Sequence, residues 1–415
     1  MASSDVVKKP PNRAESAAGR AGRATTALGG VRRTTLLAVL AAVVLSFNLA
    51  AGTTPSEDRP ASFSEIARAD ARASAAGLSR LAREFSGNPA ESAAPRDTQT
   101  QVTQAQAAQT QVAQTLAAEI TAQAGILAEQ SALLASPERL PEGIPAFTLP
   151  SPEAHAGAAE EYVAALSDSA RASLDAAMRA DDGTARLLAS TGAAQQVLAV
   201  RAAGAAGLPA PEAWTPPRAP QPGADRDSDP ASDGSCPGEQ DVTVPAQAQG
   251  GPDAAGALQG AVDAEYGAAY AYEVAMARTP EPAGRSSLRE ARNGHLAAGA
   301  LAVQLLPQLC LPALTPAPAY SLPSSFALDP ASALAALEGS LPGVYADLAA
   351  LGTGSVRALA AQRLVQVSAD LYADTAAADI FAESGSGVSA FPVPAAPGLD
   401  AEPAALPRLP ASPGR

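Results

Sequence analysis

The chain has 415 residues, a formal net charge of -14 and 4% aromatic residues. That length allows two or three domains, each with its own core, while abundant Ala and the lack of alternating β-branched runs favour an all-α protein over a sheet. Lys8, Lys9, Arg13, Arg20, Arg23, Arg32 and Arg33, against Asp5 and Glu15, give residues 1–33 a charge of +5 and leave -19 for the rest. No Lys or Arg cluster follows Arg33, which excludes a nucleic-acid partner for the body, because neutralising phosphates requires one.

The basic head, residues 1–33, is expected to be disordered and cytoplasmic. It runs into TTLLAVLAAVVLSFNLAA at 34–51, about 18 uncharged residues and roughly 27 Å as a helix, enough to cross a bilayer core. Basic residues before an apolar run keep the head inside and send the rest across the membrane. Two readings stay open: a transmembrane anchor, or a signal peptide cut near Ala51 or Gly52. The segment LAAG at 49–52 resembles a lipoprotein box with Gly where the lipidated Cys belongs, so lipidation at that spot is excluded. The body is therefore expected outside the cytoplasm, held at the membrane by this helix or secreted if residues 1–51 are removed.

A first helical domain is expected over 60–206, with helices at 63–85, 97–135, 157–181 and 183–204. The longest carries an apolar stripe of Val112, Leu116, Ile120, Leu127 and Leu134, the spacing of a helix that buries one face. Its short heptads lack the flanking charges that would fix a coiled-coil partner, so an intramolecular bundle is predicted. Two motifs recur later in the chain: PAFTLPS at 145–151 returns as PAYSLPS at 318–324, and GTARLLA at 183–189 returns as GSVRALA at 354–360. The recurrence marks the first domain as a degenerate copy of a second. Between the copies, residues 207–252 are dense in Pro, Gly, Asp and Ser and are predicted to be a flexible linker, and the tail 388–415 reads as disordered.

The second domain, 253–387, opens with a helix at 256–279. Its apolar stripe runs through Leu258, Val262, Ala269, Tyr272 and Met276, and Glu265 falls on that stripe. A carboxylate there needs a buried partner, with Arg292 or His295 the simplest, or a metal ion. Tyr266, Tyr270 and Tyr272 read as core aromatics with hydroxyls bonded at the bundle edge. Helix two is expected at 286–306, and the connection 307–328 is long enough to cross the bundle. Helix three is expected at 329–351, with Asp329 as N-cap and Pro330 at the first position; Gly339, Pro342 and Gly343 inside it predict a kink or break. Helix four, 355–381, aligns Val356, Ala360, Leu364, Val367, Leu371, Ala378 and Phe381, with Asp374 among them.

Glu265 and Tyr266, the run Ala269 to Tyr272, a His in helix two, the PAYSLP crossover, the opening Asp329-Pro330-Ala331-Ser332-Ala333 and the closing Phe391-Pro392 together resemble an actinobacterial ferritin-like domain of unknown function, number 4439, over residues 251–392. The resemblance implies a ferritin-like four-helix bundle and brings no established activity. Ferritin-type dinuclear centres need two Glu-x-x-His motifs, and this chain has none: Glu290 and His295 are five apart, about 140° around a helix. A single iron, manganese or zinc ion on Glu265, His295 and Asp374 remains open as the alternative to no cofactor at all. His155, in a Pro-rich loop, reads as a surface residue. Cys236 and Cys310, the only cysteines, suggest one disulfide in an oxidising compartment. No phosphate-binding loop or nucleophile elbow occurs. The expectation is a non-enzymatic binding or scaffolding module, with a protein or small-molecule partner left unidentified and a metal-binding or metal-oxidising protein as the alternative.

Overall fold

The computed structural model describes residues 61–87, 104–135, 158–217, 252–280, 282–373, 392–399 and 406–407. The expected head, the apolar run 34–51, the crossover 145–151, His155, Cys236, Asp374 and Phe381 lie outside them. Among the described residues there are nine α-helices and no strand: α1 (Phe63–Gly87), α2 (Gln104–Leu133), α3 (Ala158–Ala177), α4 (Asp182–Ala206), α5 (Ala254–Met276), α6 (Pro282–Val303), α7 (Ser325–Leu328), α8 (Pro330–Leu351) and α9 (Gly354–Tyr372). None of these helices is long and apolar enough to cross a membrane. All lie in one compact unit, Ala61–Arg415.

Local chemistry sets several ends. Ser62 and Glu65 form a reciprocal capping box on α1, the Ser62 amide donating to Glu65 Oε2 at 2.6 Å and the Glu65 amide to Ser62 Oγ at 3.3 Å. Asp253 accepts from the Gly256 amide at 2.7 Å and Asp329 from the Ser332 amide at 3.1 Å, capping α5 and α8. Gly207, at φ 67°, closes α4: its amide donates to the Gly204 carbonyl and that of Leu208 to Ala203, a left-handed ending that glycine accommodates without a steric cost.

In the first half α1 pairs with α2 and α3 with α4; in the second, α5 lies against α6 and α8, and α8 against α9. Helix α4 also packs on α8 and α9, so the two halves share one core. Every residue of α4 from Leu188 to Ala199 is buried. Small side chains permit the close approach: at Gly192 an added Cβ would come within 2.6 Å of Leu174 Cγ and 3.0 Å of the Ala170 carbonyl oxygen. The recurring motif places Arg186 in the first turn of α4 and Arg357 in that of α9. Arg186 pairs with Asp347 of α8 at 2.9 Å, and buried Arg357 donates to the Ala180 carbonyl at 2.7 Å and the Ala350 carbonyl at 3.2 Å. Each arginine thus reaches across to the other half.

Three expectations need correcting. Pro342 does not end α8, which runs unbroken from Pro330 to Leu351. Proline removes one backbone hydrogen bond, but Leu341, Tyr345, Ala346, Leu348 and Ala349 around it are buried, and that burial holds the helix together across the gap. The proposed linker is docked at its start: Trp214 is 3% exposed and its Nε1 donates to Asp175 Oδ1 at 2.9 Å. The proposed disordered tail is likewise docked at 392–399, where Gln130 Nε2 donates to the Ala395 carbonyl at 2.9 Å and Arg186 Nη2 to the Gly398 carbonyl at 3.0 Å. Composition misread the stretches 208–217 and 392–399 because a few apolar residues, Trp214, Val393, Ala395 and Ala396, suffice to anchor an extended chain on a ready-made surface.

Candidate functional site: a buried ionic cluster

Glu265 is fully buried on α5, the face its spacing predicts. Its Oε2 lies 2.7 Å from His295 Nδ1 on α6, and its Oε1 accepts from Arg363 Nη2 on α9 at 2.8 Å and from the Tyr345 hydroxyl on α8. The other imidazole nitrogen, Nε2, lies 2.9 Å from Glu338 Oε1 on α8, which also accepts from the Tyr272 hydroxyl at 2.7 Å. Tyr272 stacks on the imidazole at 5.3 Å between centroids, and the Arg363 guanidinium sits 5.5 Å from the Tyr345 ring centroid. Four helices therefore each supply at least one member.

Both imidazole nitrogens face carboxylate oxygens, an arrangement that favours a proton on each and an imidazolium ring. Burial by itself would lower the His295 pKa, but the Glu338 charge and the hydrogen bonds to Glu265 and Glu338 outweigh it and push it up to about 10. Burial likewise works against ionised Glu265, yet the hydrogen bond from His295, the charges of His295 and Arg363 and the Tyr345 hydroxyl hold its carboxyl below the usual range. Two anions, Glu265 and Glu338, thus meet two cations, His295 and Arg363. Asp370 adds a third carboxyl nearby: desolvation, aided by Glu338, pushes it up against the pull of Arg363 and His295.

The expected partner His295 is the one that holds Glu265; Arg292 instead lies 3.7 Å from Glu273 at the surface. Of the three tyrosines, Tyr272 belongs to the cluster, Tyr270 packs against Tyr320 at 5.9 Å, and Tyr266 packs on Gly299, where an added Cβ would come within 2.6 Å of the ring. Glu338, Tyr345 and Arg363 were not anticipated, although the rule applied to Glu265 finds two of them: Glu338 lies on the stripe Leu334, Leu341, Tyr345, and Arg363 beside Ala360, Leu364 and Val367.

Both imidazole nitrogens and both oxygens of Glu265 are engaged by neighbouring side chains, so an ion on Glu265 and His295 would have to displace a proton and a protein partner. Among the described residues no group of three or more His, Cys, Asp or Glu is arranged to hold a metal ion, and Asp374, the expected third ligand, lies outside them. Cys310, exposed and at φ 56° after a 3₁₀ turn (Leu306–Leu309), is disulfide-bonded.

Fold and site together define an all-helical bundle protein organised around a buried carboxylate–imidazolium–guanidinium cluster. Residues 257–400, from α5 through the docked segment 392–399, match the family described as Domain of unknown function (DUF4439). No curated protein matches the chain, and no solved structure does either.

Proposed function

We propose that the chain is a non-enzymatic binding or scaffolding protein working outside the cytoplasm, with a ferritin-like bundle in its second half whose buried cluster locks the helices together. The observation that carries this reading is the mutual engagement of the cluster: both imidazole nitrogens and both Glu265 oxygens bond to neighbouring side chains, as in a network that fixes a core. The ferritin-like assignment draws support from connectivity, since α6 and α8 are joined by one long crossover, residues 304–329, as in ferritin-like bundles. Location outside the cytoplasm rests on the basic head and the apolar run after it, and a Cys236–Cys310 disulfide accords with an oxidising compartment.

The alternative, one iron, manganese or zinc ion on Glu265, His295 and Asp374, would require His295 to lose a proton and Glu265 to exchange Arg363 for the ion. Elemental analysis of the full chain, purified after growth with all three metals, separates the readings. Less than a tenth of an equivalent, on the order of trace contamination, is expected; one equivalent lost in His295→Gln would overturn the lock. Carbonate washing of membranes distinguishes an anchored from a cleaved chain, and retention after washing identifies residues 34–51 as the anchor.

A further inference from the structure

Beyond the docked segment 392–399, the chain touches the second half once more, and the ionic cluster has no part in that contact. Pro407 is buried against α5. Its ring lies where α5 has no side chain: at Gly267 an added Cβ would come within 2.9 Å of Pro407 Cβ, 3.3 Å of Pro407 Cγ and 3.4 Å of Tyr320 Cδ1. Tyr320, from the crossover, is itself buried. Its hydroxyl accepts from the Ala317 amide at 3.3 Å, and its ring lies 5.9 Å from that of Tyr270 on α5. A glycine floor and an aromatic wall backed by a second tyrosine therefore hold one proline ring. Next to Pro407, Leu406 borders a cavity of about 260 Å³ together with Ala257, Gly260, Gly343 and Val344, so the groove runs on past the seated pair.

The occupant already in place shows which chemistry the notch accepts. A proline nitrogen carries no hydrogen, so burying the ring strands no donor. Proline-rich segments are also extended before they bind, which lowers the entropy cost of docking on an aromatic surface. The sequence LPRLPASP at 406–413 repeats proline at 407, 410 and 413, the three-residue period that would set all three on one edge of a polyproline helix. A contact of two residues is small. Its covalent tether favours it through an effective concentration on the order of millimolar, and a free segment that seats more prolines can offset that advantage.

We propose that this notch on α5 is a docking site for proline-rich peptide segments of partner proteins, and that Leu406 and Pro407 occupy it in cis as an autoinhibitory contact. The proposal gives the binding role stated above a partner class and rests on that reading, but it does not involve the ionic cluster.

The test measures fluorescence anisotropy of a fluorescein-labelled peptide of residues 404–413 titrated with the full chain. Leu406→Asp combined with Pro407→Asp displaces the tail, and saturable binding at least about tenfold tighter than the parent's is expected. Removing residues 404–415 should reproduce the gain. Gly267→Ala, added to the displaced chain, puts a methyl group where the proline ring sits and should cancel the gain. Its unfolding midpoint should equal or exceed that of the displaced chain, because alanine is the better helix former. The same peptide carrying Pro407→Ala and Pro410→Ala should bind at least about tenfold more weakly. Equal affinity of the parent and both displaced chains, or no saturable binding to either of them, would overturn the proposal. So would an undiminished gain in a folded Gly267→Ala variant, or equal binding of the alanine peptide. Elemental analysis decides the lock and peptide affinity decides this site, so the two can fail separately.

Discussion

Replacing Glu265 with Gln tests the ionic lock with almost no change of volume. The carboxylate is fully buried and receives bonds from His295 at 2.7 Å, Arg363 at 2.8 Å and Tyr345. The glutamine of Glu265→Gln could still accept from Arg363 and Tyr345, but Arg363 would lose its bonded carboxylate and His295 one of its two, in a site where both cations are about nine-tenths buried. Removing one partner from a buried ionic pair costs about 3–5 kcal/mol. The His295 shift sets a comparable scale: from 6.5 to about 10, which at about 1.4 kcal/mol per unit is worth roughly 5 kcal/mol as an upper bound. The sign follows from linkage. The raised His295 pKa contributes fully below pH 6.5, and its contribution is lost as pH rises through about 10. The lowered Glu265 pKa contributes above 4.5 and is lost as pH falls below it. Urea unfolding of the full chain, followed by Trp214 emission, should show parental stability declining from pH 6 to pH 10, about 3–5 kcal/mol lower stability for Glu265→Gln at pH 6, and a flatter alkaline decline in the variant. A loss below about 1 kcal/mol, or an unchanged pH slope, would refute the lock.

Other substitutions probe what joins the two halves. Gly192→Ala forces a Cβ against Leu174 and the Ala170 carbonyl and should cost about 1–3 kcal/mol in urea unfolding. Arg357→Met leaves the carbonyls of Ala180 and Ala350 without their donor; about 2–3 kcal/mol is expected, with faster hydrogen exchange at residues 178–185 as the local readout. Asp175→Ala strands Trp214 Nε1, costing about 1–3 kcal/mol, and should shift Trp214 emission to the red as residues 208–217 lift from the surface.

Period and position made much of the second half legible. The stripe of α5 placed Glu265 inside, Asp329 and Pro330 marked the start of α8, and His295 stood out as a partner from its type and helix alone. The same reasoning stopped short of Glu338 and Arg363, which lie on apolar stripes just as Glu265 does. In α8 the helix-breaking Gly339, Pro342 and Gly343 dominate the pattern, and in the helix predicted over 355–381 Asp374 does. Tyr345 is different: a tyrosine in an apolar stripe is ordinary core, and only the approach of α5 turns its hydroxyl toward a carboxylate.

The sequence by itself therefore determined the helices, their caps and the buried faces, since these depend on residues three or four apart on one element. Tertiary structure alone decided which charges meet, because Glu265, His295, Glu338 and Arg363 come from four helices spread over about a hundred residues. It also decided that α4 is buried from Leu188 to Ala199, that α8 continues through Pro342, and that residues 208–217 and 392–399 lie docked. Each of these depends on a surface supplied by another part of the chain, and local spacing carries no record of it. Glu265 shows the division most plainly: periodicity placed a carboxylate in the core, and the arrival of an imidazole and a guanidinium from two other helices made it one part of an ionic cluster.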